Sequence, residues 1–370
     1  MARKKKKMPA WTHGPMYAGI RVAICAMLAG ELRVTIEAAR RFGRSFGGAR
    51  FNRTRLERAR TNLRVAFPDW DEARIDEHAL ASYEHLCMLG VEAAAAPTLL
   101  SHHAWRRHIT IGKIDRAVDY LIGGRPCVLI TGHCGNWELL GYSVSLLGFP
   151  MHALYRPLDM KPLDRWARQS RGAHGLTLVD KFGAVRELPT LMASGAPLGF
   201  VADQNGGDRG LFVPFFNRLT STYKSIGLLA LQFDATVLCG VARRVAREEV
   251  IAGRDRHGLD EAGLGYMFDY TDHIVPEDWA DQPDPLYYLT ARYRRAIEKM
   301  VRNAPEQYLW MHRIWRSRPR HERLGRPFPR SLRDKLAALP WIDDDDIARI
   351  EAHSERDTRT LAETGQTRLS

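Results

Sequence analysis

Cysteines are few in this sequence, and their spacing matches no familiar pairing pattern. The 370-residue chain carries five of them, an odd number, and none is spaced as C-x-x-C. Neither a disulfide framework nor a zinc knuckle is supported, so reduced thiols are the simplest interpretation. The five are Cys25, Cys87, Cys127, Cys134 and Cys239.

Long apolar runs are also missing from the N-terminal part. The longest there, residues 22–30, is flanked by Arg21 and Glu31. A helix needs about 20 apolar residues to cross a bilayer, so this run is a poor spanning segment. No signal peptide is apparent, because the basic run Arg3 to Lys7 precedes an interrupted apolar stretch without a clear cleavage site. Internal repeats and a phosphate-binding glycine loop are lacking as well.

Acidic residues are scarce at the start of the chain. Residues 1–64 hold sixteen Lys and Arg but only three Glu, whereas the whole chain has 55 basic and 43 acidic residues and a net charge of +12. The positive excess is therefore N-terminal. Within it, the apolar spacing predicts one amphipathic helix from Tyr17 to Ala39, which either lies on an anionic membrane surface or packs on the rest of the protein.

The composition that is present is that of a folded protein, with 45% hydrophobic residues. Residues 62–96 are predicted to be helical, with Asp69 or Asp71 as the cap and Pro97 as the stop. Beyond Pro126, short apolar runs alternate with segments of helical length, which predicts an α/β domain with a largely parallel sheet. The predicted strands cover residues 127–131, 151–155, 176–179, 198–202 and 236–241.

Polar side chains follow several of these strands. His133 comes after the first, Arg156 after the second, Asp203 after the fourth and Arg243 after the fifth. Ligands of such sheets bind beyond the carboxyl ends of the strands, so these residues are candidates for a site. Taken singly, each is better explained as a loop residue with a satisfied hydrogen bond, and the four together weaken that explanation without removing it.

The sharpest local motif runs from Thr131 to Gly141 and contains His133 and Glu138. On one continuous helix these two would lie about 140° apart, so they can meet only if His133 sits in a turn and Glu138 begins the next helix. A carboxylate bonded to one imidazole nitrogen would leave the other free to deprotonate an alcohol. Cys134 is the alternative nucleophile, although neighbours in an extended turn usually point apart. The spacing is not that of the H-E-x-x-H zinc motif.

This motif resembles the H-x4-(D/E) element of the bacterial lipid A biosynthesis (late, lauroyl and myristoyl) acyltransferase family. Further segments agree with that family in order, over roughly residues 50–319. They are N-L-R-V-A-F-P (62–68), Y-R-P-L-D (155–159), G-A-V-R (183–186), A-D-Q-N (202–205), F-V-P-F-F (212–216) and P-E-Q-Y-L-W-M-H-R-I-W (305–315).

The resemblance implies transfer of a fatty acyl chain from acyl carrier protein, or from acyl-CoA, to a hydroxyl of a lipid A-like membrane glycolipid. It implies that His133 is the general base and that Glu138 orients it, with no cofactor and no metal. Substrate contacts carried over from the family motifs are Arg156, Arg171, Asp203 and Arg209. One departure is Asp208, which stands where the family often has proline.

The residue pattern and the resemblance together give the expected organisation of the chain, in which the tail after Arg320 lies outside the resemblance. We expect a basic, membrane-associating segment (1–50), an acyltransferase domain (51–320) whose central sheet is flanked by helices as in glycerolipid acyltransferases, and a helical, charged extension (321–370). The expected location is the cytoplasmic face of the bacterial inner membrane, peripheral or held by a single N-terminal anchor. An acidic carrier protein could use the basic stretch from Arg292 to Arg333.

Two other functions remain open at this point. A related acyltransferase could use another membrane glycolipid or a phospholipid as the acceptor. A nucleic-acid-binding protein is not expected, because aromatic residues do not interleave with Lys and Arg as stacking platforms require.

Overall fold

A mixed sheet forms the centre of the molecule. The computed structural model describes residues 9–369 apart from 101–104, 106–107, 113, 173–174, 182 and 246–264. The predicted basic run Lys4 to Lys7 lies outside the described residues.

Within these residues, seven strands form the sheet in the order β1-β9-β8-β2-β5-β3-β4, and a separate hairpin pairs β6 with β7. All neighbours in the sheet are parallel except β8 and β9. The predicted α/β class and all five predicted strands are confirmed. The strands are β1 (Ile109–Ile111), β2 (Cys127–Thr131), β3 (His152–Tyr155), β4 (Thr177–Asp180), β5 (Leu198–Val201), β6 (Leu211–Phe215), β7 (Arg218–Thr222), β8 (Thr236–Val245) and β9 (Gly265–Ile274).

Helices cover both faces of the sheet and precede it along the chain. They are α1 (His13–Ala29), α2 (Leu32–Gly48), α3 (Arg53–Ala66), α4 (Glu72–Leu99), α5 (Asp115–Ile122), α6 (Trp137–Leu146), α7 (Lys161–Gly172), α8 (Ala184–Ala193), α9 (Lys224–Gln232), α10 (Pro276–Trp279), α11 (Pro285–Asn303), α12 (Arg320–Arg323), α13 (Arg330–Ala337) and α14 (Asp344–Thr364).

Two apolar cores lie on the two sides of the sheet. Helices α9 and α11 contribute to the larger core, which includes Val128 and Ile130 of β2. Helix α6 contributes Leu139 and Tyr142 to the second core, together with Phe268 of β9. The sheet is therefore buried on both faces, which explains why its strands read as short apolar runs rather than as alternating patterns.

The N-terminal region differs from the prediction of one helix from Tyr17 to Ala39. Two helices, α1 and α2, meet at a break where Glu31 has an extended backbone. The Thr35 hydroxyl donates to the Met27 carbonyl across the break at 3.0 Å and so satisfies one group that the broken helix leaves free. Helix α1 has no buried residue. Among the described residues, no helix combines the length and the apolarity that crossing a membrane requires.

The next helical region is also divided. Helix α3 ends at Ala66, and α4 begins after Asp71, whose carboxylate accepts from the Arg74 amide at 2.7 Å. Asp71 is therefore the cap, and Pro97 lies inside the last turns of α4 instead of stopping it.

Much of the positive charge of α2 and α3 is neutralised by acidic residues of α4. Arg44 of α2 contacts Glu77 and Glu84 of α4 at 2.6 and 2.7 Å, and Arg60 of α3 contacts Asp76 at 2.7 Å. The charge excess is thus partly an internal feature of the fold.

The C-terminal extension packs tightly on the sheet domain through buried charges. Arg318 is fully buried and binds Glu322 at 2.6 Å and Asp357 of α14 at 2.7 Å. Asp357 also accepts from Arg218 of β7 at 2.9 Å. Part of the charge of the C-terminal extension is therefore buried and paired with the β6–β7 hairpin.

Candidate active site

A tight turn between β2 and α6 carries His133. At Gly135 the backbone φ is +56°, and a Cβ there would lie 2.3 Å from the Ala242 carbonyl oxygen, so only glycine fits. The Asn136 side chain then accepts from the Leu139 amide at 2.9 Å and caps α6. As the sequence predicts, His133 lies in the turn and Glu138 in the first turn of the helix.

The partner of His133 is Asp203. Its Oδ1 lies 2.6 Å from Nδ1 of the imidazole, and the carboxylate is fully buried while the ring is 16% exposed. The two residues meet because β2 and β5 are parallel neighbours, with Thr131 opposite Val201. With Nδ1 donating to this carboxylate, Nε2 is the basic nitrogen.

Glu138 has a different partner. Arg171 holds its carboxylate through two parallel hydrogen bonds, from Nε at 2.7 Å and from Nη2 at 2.6 Å. The predicted pairing of Glu138 with His133 therefore does not hold in this structure. A guanidinium offers the matching fork geometry, and Asp203 already occupies Nδ1 of the imidazole.

The charges around Asp203 explain how a buried carboxylate stays ionised. Burial raises its pKa, but His133, His312 and Arg294 outweigh burial and hold it well below its ordinary value. Burial and the adjacent His133 together lower the pKa of His312 to about 4, although Asp203 opposes the shift. Its ring centroid lies 4.8 Å from that of His133, so a neutral imidazole faces the proposed base.

The thiol of Cys134 is unsuited to be the nucleophile. It is buried, and burial together with the nearby Asp203 raises its pKa far above the ordinary value. A nucleophilic cysteine needs the thiolate form, which this environment disfavours.

Three side chains in the site are of types that bind metal ions. Ligand atoms of His133, Asp203 and His312 lie within 4.8 Å of one another. The hydrogen bond between His133 and Asp203 engages two of these groups with each other.

A cavity of about 800 Å³ opens beside His133. Its lining is mostly apolar and includes Leu140 and Gly141 of α6 and Ile226 of α9. Leu129 and Ile130 both line it, and consecutive residues of a strand point to opposite faces. The cavity therefore extends along both faces of the sheet and has the size of a site for a small lipid-like ligand.

Only some of the other predicted site residues line this cavity. Arg156 is exposed and lines it, and Arg171 lines it beside Glu138. Arg209 is exposed and is not among the described lining residues. Arg243 lies inside β8 and not after it, where its Nε donates to Asp269 at 2.7 Å.

The loop between β5 and β6 is held by the C-terminal tail. Arg368 forms an ion pair with Asp208, the residue at the family's proline position. Asn205 and Ser317 exchange two hydrogen bonds at 3.2 and 3.3 Å. The charge of Asp208 is thus compensated.

Two residues of the site were not predicted. The Nε2 of Gln204 lies 3.5 Å from Nε2 of His133, on the cavity side. His312 contacts His133 from the segment that follows α11. Both belong to motifs quoted above, A-D-Q-N and P-E-Q-Y-L-W-M-H-R, so the signal was in the sequence although no role was assigned.

A histidine paired with a buried carboxylate at a large apolar cavity is the kind of site that an enzyme acting on lipid-like substrates would have. The model of the bacterial lipid A biosynthesis acyltransferase family matches residues 4–317. The chain therefore belongs to this family and is an acyltransferase.

Individual relatives agree with this assignment. The chain is 24% identical over 272 residues to the lipid A biosynthesis palmitoleoyltransferase of Escherichia coli strain K12, covering 73% of this chain and 81% of that protein. It is 24% identical over 275 residues to the lauroyltransferase of the same strain, covering 73% and 82%. A lipid A biosynthesis acyltransferase of Haemophilus influenzae is 24% identical over 267 residues, covering 70% and 76%.

Proposed function

We propose that this chain transfers a fatty acyl group from a thioester, acyl carrier protein or acyl-CoA, to a hydroxyl of a lipid A-like glycolipid. The observation that carries the proposal is the His133 and Asp203 pair at the apolar cavity. The names of the relatives, which include a palmitoleoyltransferase and a lauroyltransferase of lipid A biosynthesis, support the choice of substrates.

The proposed reaction needs no acyl-enzyme. Nε2 of His133 removes the proton from the acceptor hydroxyl while its oxygen attacks the thioester carbonyl carbon. The tetrahedral intermediate then expels the thiolate, which takes the proton from the imidazolium, so an ester and a thiol result. Asp203 fixes the imidazole tautomer and stabilises the imidazolium.

Cationic and amide groups at the cavity would stabilise the developing negative charge. The guanidinium of Arg171 is fixed by Glu138 and stacks at 5.1 Å on the Tyr155 ring. In this proposal Glu138 positions Arg171, and not the base, toward the oxyanion or an anionic substrate group. The Gln204 amide is a second donor near His133, while Arg156 and Arg209 are proposed anion contacts.

The N-terminal helix supports a membrane-associated enzyme. Trp11 is 78% exposed and Val22 69% exposed, and Arg21 stacks on Trp166 of α7 at 5.1 Å. Exposed apolar residues flanked by arginine suit a helix that lies in the headgroup region of the cytoplasmic face of the inner membrane. Co-sedimentation with anionic liposomes but not with DNA is expected.

The predicted carrier-protein surface from Arg292 to Arg333 is not a continuous basic patch. Arg294 and Arg318 are buried, and Arg292 is paired with Asp272 at 3.1 Å. A carrier protein would therefore meet only part of this stretch.

An assay with purified protein tests the proposal. A panel of acyl carrier protein thioesters and membrane glycolipids is supplied, and product masses identify donor and acceptor. His133→Ala should abolish transfer while the thermal melting temperature is kept. His152→Ala, at the start of β3 and two strands away from β2, is the matched control and should retain activity.

Two outcomes bear on the acceptor and the mechanism. Acylation of a phospholipid but of no glycolipid would replace the proposed acceptor. Undiminished turnover by folded His133→Ala would overturn the mechanism.

A further inference from the structure

Four arginines near the site have no acidic partner among the residues that the structure describes. Arg55 and Arg58 lie on α3, and Arg313 and Arg316 lie in the segment that follows His312. Within the part of the chain that the structure describes, none of the four forms an ion pair with a carboxylate. They form a cluster of like charge, which we call the arginine cluster.

Other arginines of α3 do have carboxylate partners. Arg60 binds Asp76 at 2.7 Å, and Arg64 binds Glu72 at 2.7 Å. The arginine cluster therefore keeps an uncompensated charge where the fold elsewhere pairs its arginines.

Arg58 is the most enclosed member of the arginine cluster. Its Nε is buried without a hydrogen-bond partner among the described residues, and its Nη1 lies 3.4 Å from the Met311 carbonyl oxygen. Burial lowers its pKa, and so do the neighbouring charges of Arg313, Arg55 and Arg316. Arg58 is thus close enough to the other three arginines to be repelled by each of them, and a bound anion would relieve that repulsion.

Hydrogen bonds tie this cluster to the catalytic region. Asn62 of α3 donates to the carbonyl oxygens of Trp310 and His312 at 2.8 and 2.9 Å. The His312 ring contacts His133. Arg313 therefore follows directly on the residue that faces the proposed base.

We propose that Arg55, Arg58, Arg313 and Arg316 form a binding site for a phosphate group of the substrate. Guanidinium forks match phosphate oxygens in charge and geometry, and several of them can bind one phosphate. The inference rests on the proposed function, because the phosphate belongs either to the acceptor glycolipid or to the pantetheine arm of the donor. It would hold that substrate while its reacting atoms reach His133.

Direct binding to the full chain is the first test, with inorganic pyrophosphate as the probe. Pyrophosphate should raise the melting temperature of the wild type at constant ionic strength, and this shift should vanish in Arg55→Ala/Arg58→Ala and in Arg313→Ala. Arg53→Ala removes an exposed arginine from the same helix outside the cluster and should keep the shift. This measurement does not depend on acyl transfer, so it stands even if the proposed reaction is not found.

Kinetics identify which substrate carries the phosphate. The KM should rise about tenfold for each arginine removed, with kcat nearly unchanged, since hydrogen bonds between charged groups contribute binding energy of that order. If the KM of the variants rises for the phosphorylated acceptor but not for the dephosphorylated acceptor, the site binds the glycolipid. If the KM rises for acyl carrier protein but not for an acyl-pantetheine that lacks the phosphate, the site binds the donor.

The proposal is overturned if pyrophosphate binds wild type and variants alike and neither KM changes. It is also overturned if the variants lose only affinity for anionic vesicles, because the cluster would then serve the membrane surface. If Arg58→Ala fails to fold, Arg55→Ala and Arg313→Ala alone decide the question.

Discussion

The Oδ1 atom of Asp203 lies 2.6 Å from Nδ1 of His133, across the boundary between β5 and β2. This bond engages Nδ1 and leaves Nε2 as the free imidazole nitrogen. We expect Asp203→Asn to lower kcat between about 100-fold and about 10,000-fold without unfolding the chain. Loss of the carboxylate destabilises the imidazolium, so the acid limb of the pH–rate profile should move to lower pH. Unaltered kcat in a folded variant would contradict the assignment.

Arg294 is expected to set the electrostatics of this pair. It is fully buried, its Nη1 donates to the Ala202 carbonyl at 3.1 Å, and its charge helps to keep Asp203 ionised. Arg294→Met should raise the pKa of Asp203, because one of the charges that keep this buried carboxylate ionised is lost, and should move the acid limb of the pH–rate profile upward. His312 and Tyr308 also interact with Asp203, so the variant keeps both of these residues unchanged.

A charge-conserving substitution controls for packing, because the Arg294 guanidinium also stacks at 4.0 Å on Phe215. Arg294→Lys should restore the wild-type limb even if its melting temperature is lower. Coincident pH profiles for the Met and Lys variants would show that Arg294 acts only through packing.

Filling the cavity should shorten the preferred acyl chain. A Cβ at Gly141 would meet Leu176 and Met151 only at ordinary contact distances of 3.8 and 3.9 Å. Gly141→Leu therefore occupies cavity space without backbone strain and should shift donor preference toward shorter chains. Gly90→Leu, on an exposed helical position of α4 with open space around it, gives the matched control for helix propensity. An unchanged chain-length profile would place the acyl chain elsewhere.

Buried charges in the C-terminal extension should be essential for stability. Asp357→Ala leaves Arg218 and Arg318 without their shared carboxylate, so the free energy of unfolding should fall by about 3–5 kcal/mol. Glu355→Ala removes an exposed carboxylate from the same helix and should change it by less than about 0.5 kcal/mol. Denaturant titration measures both, and equal effects would argue against the buried network.

Acid should destabilise the fold through buried histidines. Burial and the charge of Arg318 together lower the pKa of His321 to about 4, and burial with the adjacent His133 lowers that of His312 to about 4 as well. In an unfolded chain the value is about 6.5, so between pH 6.5 and 4 the unfolded state binds more protons. Stability is then fully present above pH 6.5 and falls by up to about 1.4 kcal/mol per pH unit for each histidine. The loss should be smaller in His321→Gln, measured by unfolding across this range.

Strand positions were predictable from sequence because a sheet covered on both faces needs continuous apolar runs. The turn at His133 and the start of α6 near Glu138 were predictable for a similar local reason. The partner of His133 was not, since chain order does not reveal that β2 lies between β5 and β8. Closeness within one motif therefore favoured Glu138 as the partner of His133, whereas strand pairing in the sheet places Asp203 beside it.

Which charged residues are paired or buried was also not predictable from the sequence. Counting placed the positive excess in residues 1–64, but ion pairs such as Arg44 with Glu84 arise only when α2 packs on α4. Likewise, nothing local distinguishes the buried Arg318 from the exposed Arg320 two residues later. Three-dimensional packing decides which arginines are structural and which can meet a ligand.

The ion cluster at Arg318 also bears on how the chain folds during synthesis. Arg218 of β7 emerges from the ribosome long before Asp357 of α14, its carboxylate partner. Until then, closing the hairpin against the sheet would bury an uncompensated guanidinium, which is costly. Complete packing of this region should therefore wait for α14, and a nascent or clipped chain that ends near residue 317 is an expected substrate for proteases.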